Sequence, residues 1–348
     1  MLRRFKRNNV ERYELTRSPL GQRPSQREIG ALVGETRDDL RRLVNYKEQF
    51  VVRRVVKIGK KQKLRDLRYL VSKLRRVHER LKFHLNKIKQ PSYLFSPRKN
   101  RGQRDNALLH LDQKQYLTLD LKQFYPSTTL EMVKHWFRSE LGMYEDIAGL
   151  LTHLCTIDGR VSLGSPVTPV LCSLVHRAMF DEIANLCDQH NLRYSVWVDD
   201  LTVSGEFVPG IVVAQIREII RHAGLKSHKI RYRTGNRPVF VTGVGVVGEK
   251  LVAPNSLNLK IKELWENLHN AETLAEKDSC IQALLTNLGT VRYIAGYESP
   301  IGQKASNQMN MLRQKRVKLY RLDAQKTKLR RHNLAEDVST SLDVPFDL

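Results

Sequence analysis

The chain has 348 residues, 41% of them apolar, enough to bury a large core in one domain or in two to three subdomains and too many for a mostly disordered protein. Sixty Lys and Arg stand against 36 Asp and Glu, a formal charge of +24, so a polyanion is the expected partner. No stretch has the length and apolarity of a membrane span, the basic start Met1-Leu-Arg-Arg-Phe-Lys-Arg-Asn8 lacks the apolar run of a signal peptide, and Cys155, Cys172, Cys187 and Cys280 form no close CxxC pair; a cytoplasmic protein with buried free thiols and no membrane partner is expected.

Residues 1 to about 35 are polar and punctuated by Pro19, Gly21, Pro24 and Gly30, which reads as an arm or irregular lead-in. From 36 to about 90 the spacing Leu67, Leu70, Leu74 and then Leu81, Leu85, Ile88 predicts mainly helix, interrupted at Gly59. Between Arg41 and Arg104 there are 22 Lys and Arg against only Glu48, Asp66 and Glu79. That density predicts a nucleic-acid surface, the plainer reading being a solvated helix face. After a basic loop, Pro97 to Arg104, Tyr116 to Leu121 reads as a strand, Pro126 as a stop, and the sequence from Ser127 or Thr128 to about 156 as helix. The turn-rich run Ser162-Leu-Gly-Ser-Pro-Val-Thr-Pro169 leads into a helix reaching about Cys187.

A hairpin follows, with Leu192 to Val198 and Leu201 to Val203 as strands and Asp199-Asp200 near the turn. Then come a helix from about Pro209 to His222, a strand ending in Arg233, and a strand or tight hairpin over 238–247 with Gly243 and Gly245 permitting a bend. Helices are expected at about 257–269, 273–287 and 302–332. The last carries a second basic concentration at Arg313, Lys315, Arg316 and Lys318, then Lys326, Lys328, Arg330 and Arg331, suited to clamp a duplex.

Asp120 lies in an otherwise apolar strand, and Asp199 and Asp200 lie at a hairpin turn. An Asp-Asp pair alone is most simply a turn. Two strand ends that bring three carboxylates together instead predict a site for two Mg²⁺ ions, whose hard-oxygen preference suits carboxylates and substrate phosphates. Such a pair serves phosphoryl transfer, activating a primer hydroxyl and stabilising departing pyrophosphate. Adjacent strand residues face opposite ways, so Asp199 and Asp200 need the changed geometry of the turn if both are to bind metal.

Phe124 and Tyr125 follow Asp120 closely. An aromatic ring there either lies beneath an incoming sugar and excludes a 2′-hydroxyl, or fills core. Gly164, Ser165 and Pro166 would present a backbone edge to nucleotide and template, or simply join a loop to a helix. Lys229, with Lys226 as its competitor, and Arg65 are candidates for triphosphate contacts. Thr242-Gly243 allows a hairpin close to a primer backbone.

In this order the motifs resemble the palm and fingers of reverse transcriptases. Leu119-Asp-Leu-Lys-Gln-Phe-Tyr-Pro-Ser127 resembles the first catalytic-aspartate motif and Gly164-Ser-Pro-Val-Thr-Pro169 the template and nucleotide turn. Trp197-Val-Asp-Asp200 resembles the paired-aspartate hairpin and Gly224-Leu-Lys-Ser-His-Lys229 the lysine-bearing segment. Asn106-Ala107 with His110, Val241-Thr242-Gly243, and Leu288-Gly-Thr-Val-Arg-Tyr-Ile294 bring the likeness closer to bacterial retron reverse transcriptases, over roughly residues 40 to 325.

The resemblance implies an α+β, right-hand polymerase-like fold. It divides into a lead-in (1–35), basic helical fingers (36–110), a palm with an antiparallel sheet and inserted fingers elements (111–250), a helical thumb (251–335) and a tail (336–348). It implies Asp120, Asp199 and Asp200 as metal-binding catalytic acids, Tyr125 as sugar gate, and Asn106, His110, Trp197, Thr242 and Gly243 as primer or template contacts. The implied activity is RNA-directed DNA synthesis from deoxynucleoside triphosphates, copying a structured noncoding RNA into short single-stranded DNA. The copy is often primed from a guanosine 2′-hydroxyl, through an RNA–DNA hybrid, in a phage-defence system with an effector protein. Leu163 where glutamine is usual, Trp197-Val198 where Tyr-Ala is common, and the loop at 96–104 depart from the pattern and predict altered template or primer packing. The alternatives are a reverse transcriptase of abortive infection or diversity generation, and an inactive RNA-binding structural subunit.

Overall fold

The computed structural model describes residues 12–58, 62–234 and 238–340. The first eleven residues of the expected lead-in, Gly59 and the last eight residues of the expected tail lie outside the described residues, as do the side chains of Lys326, Lys328, Arg330 and Arg331. The chain divides after Arg237 into two compact units.

The first unit opens with helices α1 (Gln26–Val33) and α2 (Arg37–Asn45). Ser25 and Glu28 form a capping box at the start of α1, and Gly34 ends it in the left-handed region. The sequence over 51–70, expected as helix, is instead an antiparallel ribbon of β1 (Val51–Ile58) and β2 (Lys63–Leu70), paired from Val51 opposite Leu70 to Ile58 opposite Lys63. β-branched Val51, Val52, Val55, Val56 and Ile58 favour strand, and the cations between them tolerate it because most of the ribbon is exposed. Among its described residues only the base, Val51 and Leu70, is buried in the core.

Helix α3 (Ser72–Leu85) buries Leu74, Val77, His78, Leu81 and Leu85, one face at helical spacing. It is followed by β3 (Leu94–Ser96), α4 (Gln103–Leu109), β4 (Gln115–Leu121), the helical turn α5 (Phe124–Ser127), α6 (Leu130–Ser139) and α7 (Glu145–Cys155). The single helix expected to run to Cys187 is two, α8 (Thr168–Val175) and α9 (Arg177–Gln189), divided at His176, whose φ and ψ of −97° and 16° leave the helical region. The unit closes with β5 (Arg193–Trp197), β6 (Asp200–Gly205), α10 (Gly210–His222) and β7 (Ser227–Thr234).

Five strands form one sheet in the order β3-β5-β6-β4-β7, antiparallel except for the β3–β5 pair. In β4, Leu117, Leu119 and Leu121 are buried while Thr118 and Asp120 are less so, the alternation expected of a strand covered on one face. Under it packs a continuous apolar core that includes Phe137, Leu151, Leu171, Phe180, Ile183 and Ile216.

The second unit begins with a three-stranded antiparallel meander, β8 (Val239–Val241), β9 (Val244–Val247) and β10 (Lys250–Val252), followed by α11 (Asn255–Asn270), α12 (Leu274–Ala295) and α13 (Pro300–Thr340). Its own core gathers Leu268, Ile281, Leu284, Leu288, Met309 and Leu312. Helix α12 runs eight residues beyond its expected end at 287. The molecule is thus α+β, with an antiparallel-rich sheet and a helical C-terminal region. Among the described residues no helix is long and apolar enough to cross a membrane.

Candidate active site

Asp120 sits near the end of β4 directly opposite Asp200 at the start of β6. Trp197 pairs with Asp200 across the hairpin, leaving Val198 and Asp199 as a two-residue turn. Two backbone bonds hold that turn: Leu121 N–H donates to Asp199 O (2.8 Å) and Val198 N–H to Ser96 O (3.0 Å). Val198 has φ +60°, a left-handed conformation that a β-branched residue adopts only under constraint. The turn thereby places Asp199 beside the Asp120–Asp200 pair.

The electrostatics reflect that closeness. Burial, then the Asp120 carboxylate, raise Asp199 above the usual carboxylate range, while Lys229 and Arg65 oppose the rise. Asp200 is pushed up to about 6 by burial, by Asp199 and by Asp120. Arg65, on the ribbon, therefore lies within electrostatic reach of the hairpin.

Lys229, with φ +53°, ion-pairs with Asp120 just beyond a register shift between β4 and β7. His228, which the sequence reading passed over, places Nδ1 3.2 Å from Asp120 O and Nε2 3.5 Å from its carboxylate. Its place beside Lys229 in a lysine-bearing strand end was the available signal. Among the described residues no three acidic, His or Cys side chains form a ready metal-ligand group, and Asp120 is engaged by Lys229. The donor types still suit a hard dication: Asp120 faces Asp200 across the sheet with Asp199 in the adjoining turn, and Asp199 and Asp200 have raised proton affinities that a nearby cation would relieve.

Tyr125 is half-buried, and burial, then Cys172 and Asp199, raise its phenol. Phe124, expected at the nucleotide, is 3% exposed and packs between Tyr125 and His176, with ring centroids 5.6 and 5.3 Å away. Its place in α5 turns it into the core, where it backs Tyr125.

The glycine turn is pinned from two sides. Arg68 N–H of β2 donates to Leu163 O (2.9 Å), and Gly164 has φ +99° with room for hydrogen alone, since a β-carbon would lie 2.9 Å from Arg68 O. Buried Ser165 lies 2.6 Å from His78 Nδ1, while His78 Nε2 lies 2.9 Å from Leu154 O. The carbonyl can only accept, so Nε2 carries the proton and Ser165 donates to Nδ1. Pro166 is half-buried beside it.

Asn106 and His110, expected at primer or template, are buried at 1% and 0% exposure. His110 bridges Ser204 (2.7 Å) and Ser195 (2.8 Å), fastening α4 to the two hairpin strands, so it supports the hairpin from inside. Trp197 is half-buried at the hairpin. Thr242 (φ +49°) and Gly243 (φ +86°) form the two-residue turn between β8 and β9 in the second unit.

These features define an α+β protein with an acidic centre at the strand ends of an antiparallel-rich sheet. No protein-family model matches the chain. It is similar to curated bacterial retron reverse transcriptases: 27% identical over 190 residues to retron Ec86 reverse transcriptase of Escherichia coli, covering 53% of this chain and 58% of that one. Retron Ec83 reverse transcriptase of Escherichia coli is 28% identical over 40% of this chain and 50% of that one, and retron Mx65 reverse transcriptase of Myxococcus xanthus 28% identical over 42% and 39%. The chain thus spans about half the length of the curated relatives it matches. Among solved structures, telomerase from Candida albicans with a fragment of telomeric RNA aligns over 71% of this chain and 57% of that one, at 12% identity and a TM-score of 0.42. A foamy viral protease-reverse transcriptase in complex with double-stranded DNA aligns over 71% and 38%, at 15% identity and a TM-score of 0.39.

Proposed function

We propose that the chain is an RNA-directed DNA polymerase of retron type, in which the first unit supplies fingers and palm and the second the thumb. The observation that carries this reading is the register of β4 and β6, which sets Asp120 against Asp200 with Asp199 in the adjoining turn. The likeness to retron reverse transcriptases supports it independently.

In this reading Asp120, Asp199 and Asp200 hold Mg²⁺, which when bound supplies positive charge to the attacking primer hydroxyl and the departing pyrophosphate. Lys229 and Arg65 steer the triphosphate toward the acids, and Lys229 exchanges Asp120 for phosphate oxygen. Tyr125, backed by Phe124, excludes a 2′-hydroxyl by contact beneath the sugar. The Gly164–Pro166 turn, fixed through Arg68 and His78, positions the nucleotide against template. The finer reading is that the template is a structured noncoding RNA, the product a branched RNA–DNA molecule, and the setting a phage-defence system with an effector protein.

The deciding experiment is primer extension on an RNA template with Mg²⁺. Wild type is expected to incorporate deoxynucleotides and Asp199→Ala to lose synthesis by at least about a thousandfold while retaining RNA binding. Equal extension by the variant would remove the acidic centre from the chemistry, and RNA binding without synthesis by wild type would return the chain to a structural role. Sequencing co-purified nucleic acid for a covalent RNA–DNA branch tests the retron assignment separately.

A further inference from the structure

Behind the turn that carries Tyr125 lies a cavity of about 430 Å³, between α6, the α8–α9 junction and the end of α10. Its volume falls within the range of small-molecule sites, and Met132, Trp136, Leu174 and Met179 give it apolar walls.

His176 also lines the cavity and is 5% exposed. Its Nε2 lies 2.9 Å from Thr128 Oγ1, and that hydroxyl donates its only hydrogen to Phe124 O at 3.0 Å. Thr128 must therefore accept from Nε2–H, which leaves Nδ1 as a bare acceptor. Nδ1 has no hydrogen-bond partner among the described residues. Burial holds the ring's pKa down to about 4, so it stays neutral near pH 7.

The rim is acidic in a chain of formal charge +24. Glu131 and Glu140 line the cavity, and neither has an ion-pair partner among the described residues. Arg177, the cation on the rim, is committed elsewhere, to Asp181 (3.1 Å) and to Lys89 O (3.2 Å). His135 is exposed, with Nδ1 3.4 Å from Ser139 Oγ. Free carboxylates repel nucleic acid, and a bare acceptor between apolar walls asks for a donor on an apolar body.

We propose that this cavity binds a small organic ammonium with an arylalkyl-sized apolar body, its charge set against Glu131 and Glu140 and a hydrogen-bond donor presented to His176 Nδ1. Nothing in this binding depends on the polymerase reading. Its regulatory consequence does: the His176 ring packs at a tilt against Phe124, the residue behind Tyr125, so an occupant would act on the sugar gate from the rear.

The test is calorimetric titration of the full chain with 4-phenylbutylammonium and with its neutral analogue 4-phenylbutan-1-ol. Saturable binding of the ammonium, at least about fivefold tighter than the alcohol, is expected. The double variant Glu131→Gln/Glu140→Gln, altered only at exposed positions, should bind both probes with equal affinity. Ala178→Phe, which fills the cavity from its exposed edge, should bind neither while its circular dichroism matches wild type. Absence of saturable binding to wild type, equal affinity for the two probes, or an ammonium preference that survives the double variant would each overturn the proposal. The gate consequence fails alone if ammonium binds as expected yet leaves ribonucleotide discrimination unchanged in an active enzyme.

Discussion

At position 164 both the left-handed backbone and the 2.9 Å approach to Arg68 O demand glycine. Gly164→Ala should therefore destabilise the chain by about 1–3 kcal/mol, read as a lower urea midpoint at unchanged slope. Tyr125→Ala should weaken discrimination against ribonucleotides, measured as the ratio of kcat/KM for deoxy- and ribonucleoside triphosphates. Equal ratios in wild type and variant would remove the gate assignment. The strand-end and turn positions of the three aspartates, and the glycine turn, were legible in the sequence because each interrupts an apolar pattern with a polar or backbone-permissive residue. Phe124 and Tyr125 were not separable, since which ring of a one-turn helix faces inward depends on α8 and α9 packing against it. His78, His110 and His176 were illegible as struts, because their partners lie 87, 94 and 48 residues away along the chain.

Among the elements, the β5–β6 hairpin carries its strain at Val198, where the sequence gives no glycine to meet a positive φ. Val198→Gly should leave stability nearly unchanged, relief of the positive φ offsetting the lost packing of Val198 on the core, yet lower synthesis because the flexible turn holds Asp199 less firmly. Denaturation and extension assays on the same preparation separate the two effects. The hairpin was readable from alternation, whereas the β1–β2 ribbon was not. A ribbon exposed on both faces shows no burial alternation, and cations scattered through its valines imitate the polar side of a helix. What anchors it is equally nonlocal: the Arg68–Leu163 backbone bond and the pairing of Arg68 and Arg53 with Asp158, at 2.9 and 3.2 Å.

For the whole molecule two responses to solvent follow. With a formal charge of +24, RNA binding should weaken linearly in log salt, by about a thousandfold between about 50 and about 200 mM if some six phosphates are neutralised. A flat response in filter binding would place the excess charge away from the nucleic acid. His78, His110 and His176 have pKa values lowered by burial to about 4, 3 and 4. The unfolded chain, with ordinary histidines near 6.5, binds more protons below that pH, so stability should be full above about 6.5 and fall progressively toward pH 4, on the order of 3 kcal/mol per histidine. Urea titrations at pH 7.5 and 5 check the sign, and a rise in stability on acidification would contradict it.

The boundary at residue 237 separates two interiors, each lined by its own leucines and isoleucines. Nicking the backbone there would sever one covalent link while leaving both interiors whole. Two polypeptides encoded separately should each attain a cooperative melt, which would allow the C-terminal piece to be grafted between relatives as an interchangeable cassette.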